Sequence, residues 1–181
     1  MHLPLHTERL VLRALTADDL DDHLRLYGDP DVVRYLYDEP MDREQAAAHL
    51  ALRLDSSLPD EGHWVNLAVE EAGRYVGEVG VSLVSRTHRQ CEIGYCFLPE
   101  AGGRGLATEA SAAMVALAFD ELDAHRVVGR IEARNSASAR VLERLGMRRE
   151  AHLRENEFVK GEWNDEIVYA VLEDDWAPPG R

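Results

Sequence analysis

The passage from Cys91 to Glu121 constrains this chain more than any other. A run that reads as a strand, Cys91–Leu98, is stopped by Pro99 and followed at once by Ala101-Gly-Gly-Arg-Gly105. From about Gly105 to Glu121 the residues favour a helix, with Leu106, Ala110, Ala113 and Leu117 as its inward stripe. A strand feeding a glycine-rich turn and then a helix brings unpaired helix N–H groups and the positive end of the dipole beside backbone that no side chain covers. Taken alone, Gly102–Thr108 is a weak phosphate signal. A kinase-type P-loop would end in Gly-Lys-Ser/Thr where this chain has Gly105-Leu106-Ala107, and a dinucleotide fingerprint needs a third glycine where Thr108 stands. A plain glycine turn into a helix is the alternative at this point.

The rest of the chain supplies the layers around that unit. Glu8–Arg13 alternates around Leu10 and Leu12 as a short strand. Thr16-x-x-Asp19 forms a capping box that opens a helix to about Tyr27, ended by Gly28-Asp-Pro30. A second helix is predicted from about Asp42 to Asp55, with Ala46, Leu50 and Leu54 on one face. Trp64–Glu70, Tyr75–Val84 and Cys91–Leu98 read as an antiparallel meander. A Val- and Ile-rich strand follows at Arg126–Ala133, then a helix at Asn135–Leu145 with Asn135 as N-cap and Gly146 at C′. Met147–Phe158 and Trp163–Leu172 pair across Lys160-Gly161 as a hairpin. The order β-α-α-β-β-β-α-β-α-β-β predicts one α/β (α+β) domain over residues 1–177, with a mixed central sheet of about seven strands and a disordered tail, Pro178–Arg181.

Charge and cysteine content bound the function. Twenty Lys and Arg against 34 Asp and Glu leave a net charge of −14 in 181 residues. That opposes a nucleic-acid binder, which must neutralise phosphates, and adhesion to an anionic membrane. It weakly favours a cationic or amine-bearing partner, and solubility alone would also explain it. Cys91 and Cys96 are five residues apart on one strand and should face opposite ways, so neither a disulfide nor a zinc site is expected. Two free thiols, no signal peptide in Met1–Leu10 and no apolar run longer than Ala112–Phe119 point to a cytoplasmic protein without a membrane span.

Two further constellations bear chemistry. Glu92-Ile-Gly-Tyr95-Cys96-Phe97 places a carboxylate on the strand that feeds the glycine loop, where burial would raise its pKa toward that of a useful base. A salt bridge at the strand edge is the plain alternative. In Asn135-Ser-Ala-Ser138, the serine shares a helical face with Val141, Leu142 and Leu145, a hydroxyl on an otherwise apolar stripe. It could equally bond to its own first turn. His63, His88 and His125 read as surface or packing residues.

Together these segments resemble the GNAT superfamily of N-acetyltransferases. Pro99-Glu100-x-x-Gly103-Arg104-Gly105-x-Ala-Thr108-Glu109-Ala110 is similar to its acyl-CoA loop, and Asn135-x-x-Ser138-x-x-Val-Leu-Glu-x-Leu145-Gly146-Met147 to its second cofactor segment. Thr7-Glu-Arg-Leu-x-Leu-Arg13, Glu92-Ile-Gly-Tyr95, Lys160-Gly-x-Trp163-x-Asp165 and Trp176 resemble the branch that contains the ribosomal-protein N-terminal acetyltransferases. Two positions depart: Glu100 stands where Gln or Arg is common, and Leu142 where many members carry a tyrosine acid.

The resemblance implies acetyl-CoA as co-substrate and acyl transfer to a primary amine; a monomer or homodimer is expected, and the cysteine arithmetic leaves no metal expected. Gly103, Arg104, Gly105, Leu106, Ala107 and Thr108 would hold the pyrophosphate, and Tyr95, Cys96, Phe97 and Asn135 the pantetheine arm. A backbone N–H near Phe97 would stabilise the developing oxyanion. With no tyrosine at 142, Ser138 becomes the candidate acid for the departing thiolate and Glu92 the candidate base, directly or through water. An α-amine with a pKa near 7.7–8.0 is already about one-tenth neutral at pH 7, whereas an alkyl amine near 10.4 is neutral in roughly one part in 2,500. A weak base therefore suits a protein N-terminus, the expected acceptor. A small amine (aminoglycoside, polyamine or amino-acid-like) and a non-catalytic acyl-CoA sensor are the rival expectations. Asp29, Asp31, Asp38, Glu39, Glu155 and Glu157 make the expected acceptor side acidic.

Overall fold

Strand pairing in the computed structural model, which describes residues 1–178, gives an eight-stranded sheet in the order β1-β2-β3-β4-β5-β6-β8-β7. The strands are β1 Leu5–His6, β2 Leu10–Ala14, β3 Trp64–Glu71, β4 Arg74–Ser85, β5 Gln90–Phe97, β6 Arg126–Glu132, β7 Arg148–Val159 and β8 Glu162–Leu172. The helices are α1 Leu20–Tyr27, α2 Arg43–Ala51, α3 Leu106–Asp120 and α4 Ser136–Arg144. The strand beyond the expected seven is β1, a two-residue edge piece paired with β2. Beyond Pro178, the expected disordered tail lies outside the described residues.

Alternation sorts the sheet into two faces. Val65, Leu67 and Val69 of β3, with Cys91 and Ile93 of β5, point into a core closed by α3 and α4. Ala68, Tyr75 and Cys96 point the other way, against Leu26, Tyr27 and Leu50 of α1 and α2. The two cysteines therefore lie on opposite sides of the sheet, as their odd spacing requires. The capping residues act as the sequence suggests: the Asp19 carboxylate accepts the Thr16 N–H at 2.7 Å, and Asn135 Oδ1 accepts the Ser138 N–H at 3.0 Å. Asp42 caps α2, which stops at Ala51 rather than Asp55, because the chain turns there and carries Arg53 down onto β3. On α3 the inward stripe runs through Met114, with Ala113 only half-buried; the helix lies over β2, β4 and β5 and buries more than one face.

The feature that creates a site is between β5 and β6. They pair in parallel only from Gln90–Glu92 to Arg126–Val128. Beyond that point β5 stays with β4 as far as Phe97, and β6 stays with β8 as far as Glu132. The two strands splay, and their inner backbone edges, residues 93–97 and 129–132, face a crevice instead of each other.

Candidate active site

The crevice opens at one end onto the start of α3. Gly103 and Gly105 have φ of +73° and +80°, a left-handed conformation that glycine adopts without strain. Gly105 is the N-cap of α3 and offers no side-chain cap, so the N–H groups of Leu106, Ala107 and Thr108 stay open at the positive end of a 15-residue helix. These residues line a cavity of about 490 Å³ with Gly102, Tyr95–Phe97, Asn135 and Ser138. The hydroxyl of Thr108, one of these lining residues, is buried and has no hydrogen-bond partner among the described residues. Open N–H donors, an orphan hydroxyl and bare glycine backbone fit an anionic group such as a phosphate. The Arg104 guanidinium turns away to pair with Glu71 at 2.6 Å, and its own carbonyl accepts from Arg9. Only the backbone of Arg104 belongs to the loop.

The loop is pinned from behind by the N-terminal segment. Thr7 Oγ1 donates to Glu109 Oε1 at 2.5 Å, and Arg9 donates to the same carboxylate through its N–H and Nε. Burial pushes the Glu109 carboxyl up, but these donors hold it below its ordinary pKa. The Thr7-Glu-Arg9 and Thr108-Glu109 sequences are thus two halves of one clamp on the first turn of α3.

At the middle of the crevice stands Tyr95, which borders the α3-end cavity, the narrower cleft toward β8, and a third cavity on the α1/α2 side. Its hydroxyl donates to the Ser138 carbonyl at 3.0 Å and so ties β5 to the first turn of α4 across the gap. Burial pushes the Tyr95 phenol well up. Ser138 lines both the α3-end cavity and the cleft, half-buried, and among the described residues its hydroxyl has no hydrogen-bond partner. Tyr169, the other buried tyrosine of this region, points instead to Glu143 at 3.3 Å and lines none of these cavities.

Glu92 sits on the opposite face of β5 from Ile93 and Tyr95. Its Oε2 is 3.6 Å from Arg130 Nε. Burial raises its pKa, Arg130 partly offsets this, and Glu166 and Glu157 raise it further. Glu157, Glu162 and Glu166 line the cleft, and Tyr37 donates to Glu157 at 2.6 Å from the segment between α1 and α2. Lys160, at the tip of the β7–β8 hairpin, donates to the Val33 carbonyl at 2.7 Å. Hairpin and segment together roof the cleft.

Sequence reading did not single out the residues of the α1/α2 side. Glu78 of β4 is buried and accepts from Tyr75 at 2.7 Å, lies 2.6 Å from His23 Nδ1, and is 3.2 Å from the Tyr27 hydroxyl. His23 Nε2 is 2.9 Å from His49 Nδ1, and Arg53 donates from Nε and Nη2 to His49 Nε2. Because the guanidinium can only donate, His49 Nε2 must accept. His49 then carries its proton on Nδ1 and gives it to His23 Nε2, which leaves His23 Nδ1–H for Glu78. One tautomer of each ring satisfies the whole chain. Burial and the Arg53 charge lower the His49 pKa to about 4, consistent with a neutral ring.

A sequence profile described as the Acetyltransferase (GNAT) domain matches residues 9–148. The chain belongs to the GNAT acetyltransferase family. Its relatives include p20 of Bacillus licheniformis, called an uncharacterized N-acetyltransferase, 29% identical over 96% of this chain and 98% of its own length. The spermidine N(1)-acetyltransferase of Escherichia coli K12 is 25% identical over 90% of this chain and 85% of its own. YdaF of Bacillus subtilis, provisionally named a ribosomal N-acetyltransferase, is 31% identical over 58% of this chain and 57% of its own. The crystal structure of a GNAT-family acetyltransferase from Bacillus anthracis superposes with a TM-score of 0.85 at 27% identity, covering 95% of this chain and 99% of that one. The acetyltransferase is therefore an acyltransferase of the N-acetyl class. Among the described residues no three His, Cys, Asp or Glu side chains converge as a metal cluster, and no helix is long and apolar enough to cross a membrane.

Proposed function

We propose that the protein transfers an acetyl group from acetyl-CoA to the α-amine of a peptide or protein N-terminus. The splay of β5 from β6 carries this reading, since it joins an anion-ready helix start to an acidic opening past Tyr95. Acetyl-CoA supplies, when bound, an activated acetyl thioester. The N–H groups of Leu106, Ala107 and Thr108 would hold its pyrophosphate, and the free inner edge of β5 at Tyr95–Phe97 would bind the pantetheine arm as an added strand does. Asn135 would orient that arm from the α4 side. A backbone N–H near Phe97 would meet the negative charge that develops on the acetyl oxygen, a contribution of about 3–4 kcal/mol in comparable sites. Glu92 would take the proton of the attacking amine, directly or through water, and Ser138 would return one to the thiolate.

The α-amine is favoured by the strength of the base. A half-buried carboxylate, even one with a raised pKa, is a weak base; it suffices for an amine near pKa 7.7–8.0 and not for one near 10.4. One observation favours a second reading, a small polyamine: Glu157, Glu162 and Glu166 line the cleft, and one relative is a spermidine acetyltransferase. Thiol release from acetyl-CoA, measured at pH 7 with short peptides and with spermidine, separates the two. Turnover of peptides above that of spermidine is expected. Turnover of spermidine alone overturns the N-terminal reading.

A further inference from the structure

The third cavity, about 500 Å³ on the α1/α2 side of the sheet, touches the crevice at Tyr95 and Cys96 and plays no part in the chemistry above. Its floor is an indole. Gly80 and Gly94 are cross-strand partners, and a Cβ on Gly94 would lie 3.2 Å from the Trp64 ring, while one on Gly80 would lie 2.7 Å from Asn66 Oδ1. The two glycines let the ring lie down on the sheet, and Trp64 remains 43% exposed toward the cavity. A tryptophan laid flat and left open is a platform for a ligand group.

One wall of the cavity is Arg53. His49 fixes its Nε and Nη2, and Asn66 Oδ1 accepts from Nη1 at 2.7 Å. Three of its five N–H groups are thereby used and two are free. Every one of these partners is neutral. Arg9, Arg13, Arg104, Arg126 and Arg134 pair with carboxylates in this acidic chain, but among the described residues none comes within 4.0 Å of Arg53. Asp38 is exposed on the same cavity and forms no ion pair with it. Glu78 also lines the cavity, but its hydrogen-bonded path to Arg53 runs through both imidazoles, and its oxygens already accept from His23, Tyr75 and Tyr27. The buried chain thus orients a guanidinium whose fork is open toward the cavity, and such a fork matches a carboxylate.

We infer that this cavity is an acceptor subsite selecting a carboxylate near the acetylated amine, with Arg53 binding the carboxylate and Trp64 supporting the chain that bears it. The inference rests on the N-terminal reading and narrows it to acceptors with an acidic residue at the first or second position. Thiol release is measured with tetrapeptide amides that differ only by Glu, Gln or Lys at position one or two. A preference for Glu of about tenfold or more in kcat/KM at one of the two positions, carried mainly by KM, is expected of the unmodified protein. In Arg53→Gln that ratio falls toward one, and in Arg53→Glu it inverts toward a Lys peptide; melting curves check that each variant folds. Peptides acetylated with no Glu preference overturn the subsite and leave the N-terminal reading standing. Spermidine acetylated while no peptide is overturns both. A preference for Glu that survives Arg53→Gln in a folded variant also overturns the assignment to Arg53.

Discussion

On the α3/α4 side of β5 the site is made of glycines, open backbone N–H groups and single hydroxyls, while on the α1/α2 side it is made of two imidazoles, a guanidinium, a carboxylate and an indole. The first side needs only that the backbone be bare and aimed, so it tolerates little change in shape and much in charge. The second side depends on a run of hydrogen bonds in which each donor has one acceptor, so it tolerates little change in polarity. One half would recognise a ligand common to a whole family; the other, under the proposed subsite, would be where members diverge in what they acetylate.

The largest expected effect tests chemistry on the α3/α4 side. Ser138→Ala should lower kcat by about 10²-fold or more while acetyl-CoA affinity stays within a few-fold, because the serine's free hydroxyl, not its backbone, is removed. A kcat within a factor of two would make Ser138 a capping residue and move proton donation to Tyr95 or a water.

On the other side, His23→Ala should cost about 3 kcal/mol or more, since it strips a partner from buried Glu78 and from His49 at once. For a chain of this size that is a fall in Tm of roughly 6–12 °C, with cofactor affinity retained. A Tm within 2 °C of wild type, a limit of about 1 kcal/mol, would mean the chain does not hold α1 and α2 to the sheet. The same comparison can be sharpened with pH. His49 has a folded pKa of about 4 against an ordinary 6.5, so the unfolded chain binds more protons between those values. Stability is complete above about 6.5 and is lost as pH falls toward about 4. Melting curves should show a decline between pH 6.5 and about 5, before ordinary carboxylates titrate, and His49→Gln should flatten it.

A smaller effect is expected at the helix mouth. Gly105→Val forces a β-branched residue to φ +80°, a strain of about 1–3 kcal/mol that shifts the first turn of α3, and brings its Cβ about 3.6 Å from Arg9 in the clamp behind it. Cofactor affinity measured by calorimetry should fall roughly 10–100-fold, and an unchanged value would remove the phosphate from Leu106–Thr108. The smallest is Tyr95→Phe, which deletes one hydrogen bond across the crevice and should cost about 0.5–1.5 kcal/mol of stability with under tenfold change in kcat, roughly. A loss equal to that of Ser138→Ala would instead make the phenol the proton donor.

Local chemistry made much of this legible in the chain itself. Thr16, Asp42 and Asn135 announce helix starts, and Gly103 and Gly105 announce a backbone that turns left-handed before α3. Lys160-Gly161 announces a hairpin in which both residues have positive φ. Each signal is complete within about four residues of sequence, so the element order, the glycine-loop helix mouth and the inward serine can be read without coordinates. Glu92 was legible as a carboxylate on the strand that feeds the glycine loop, with a strand-edge salt bridge as its alternative, but that Arg130 of the neighbouring strand is its partner was not. The tertiary structure alone decided the splay, because it arises where β5 follows β4 and β6 follows β8 instead of each other. It also decided the polar chain on the α1/α2 side. His23 meets Glu78 across 55 residues of sequence, His23 meets His49 across 26, and Arg53 meets Asn66 across 13. A histidine or arginine carries no local mark of such a partner: its hydrogen bond is set by which strand and helix come to lie side by side, and that is a property of the packed sheet.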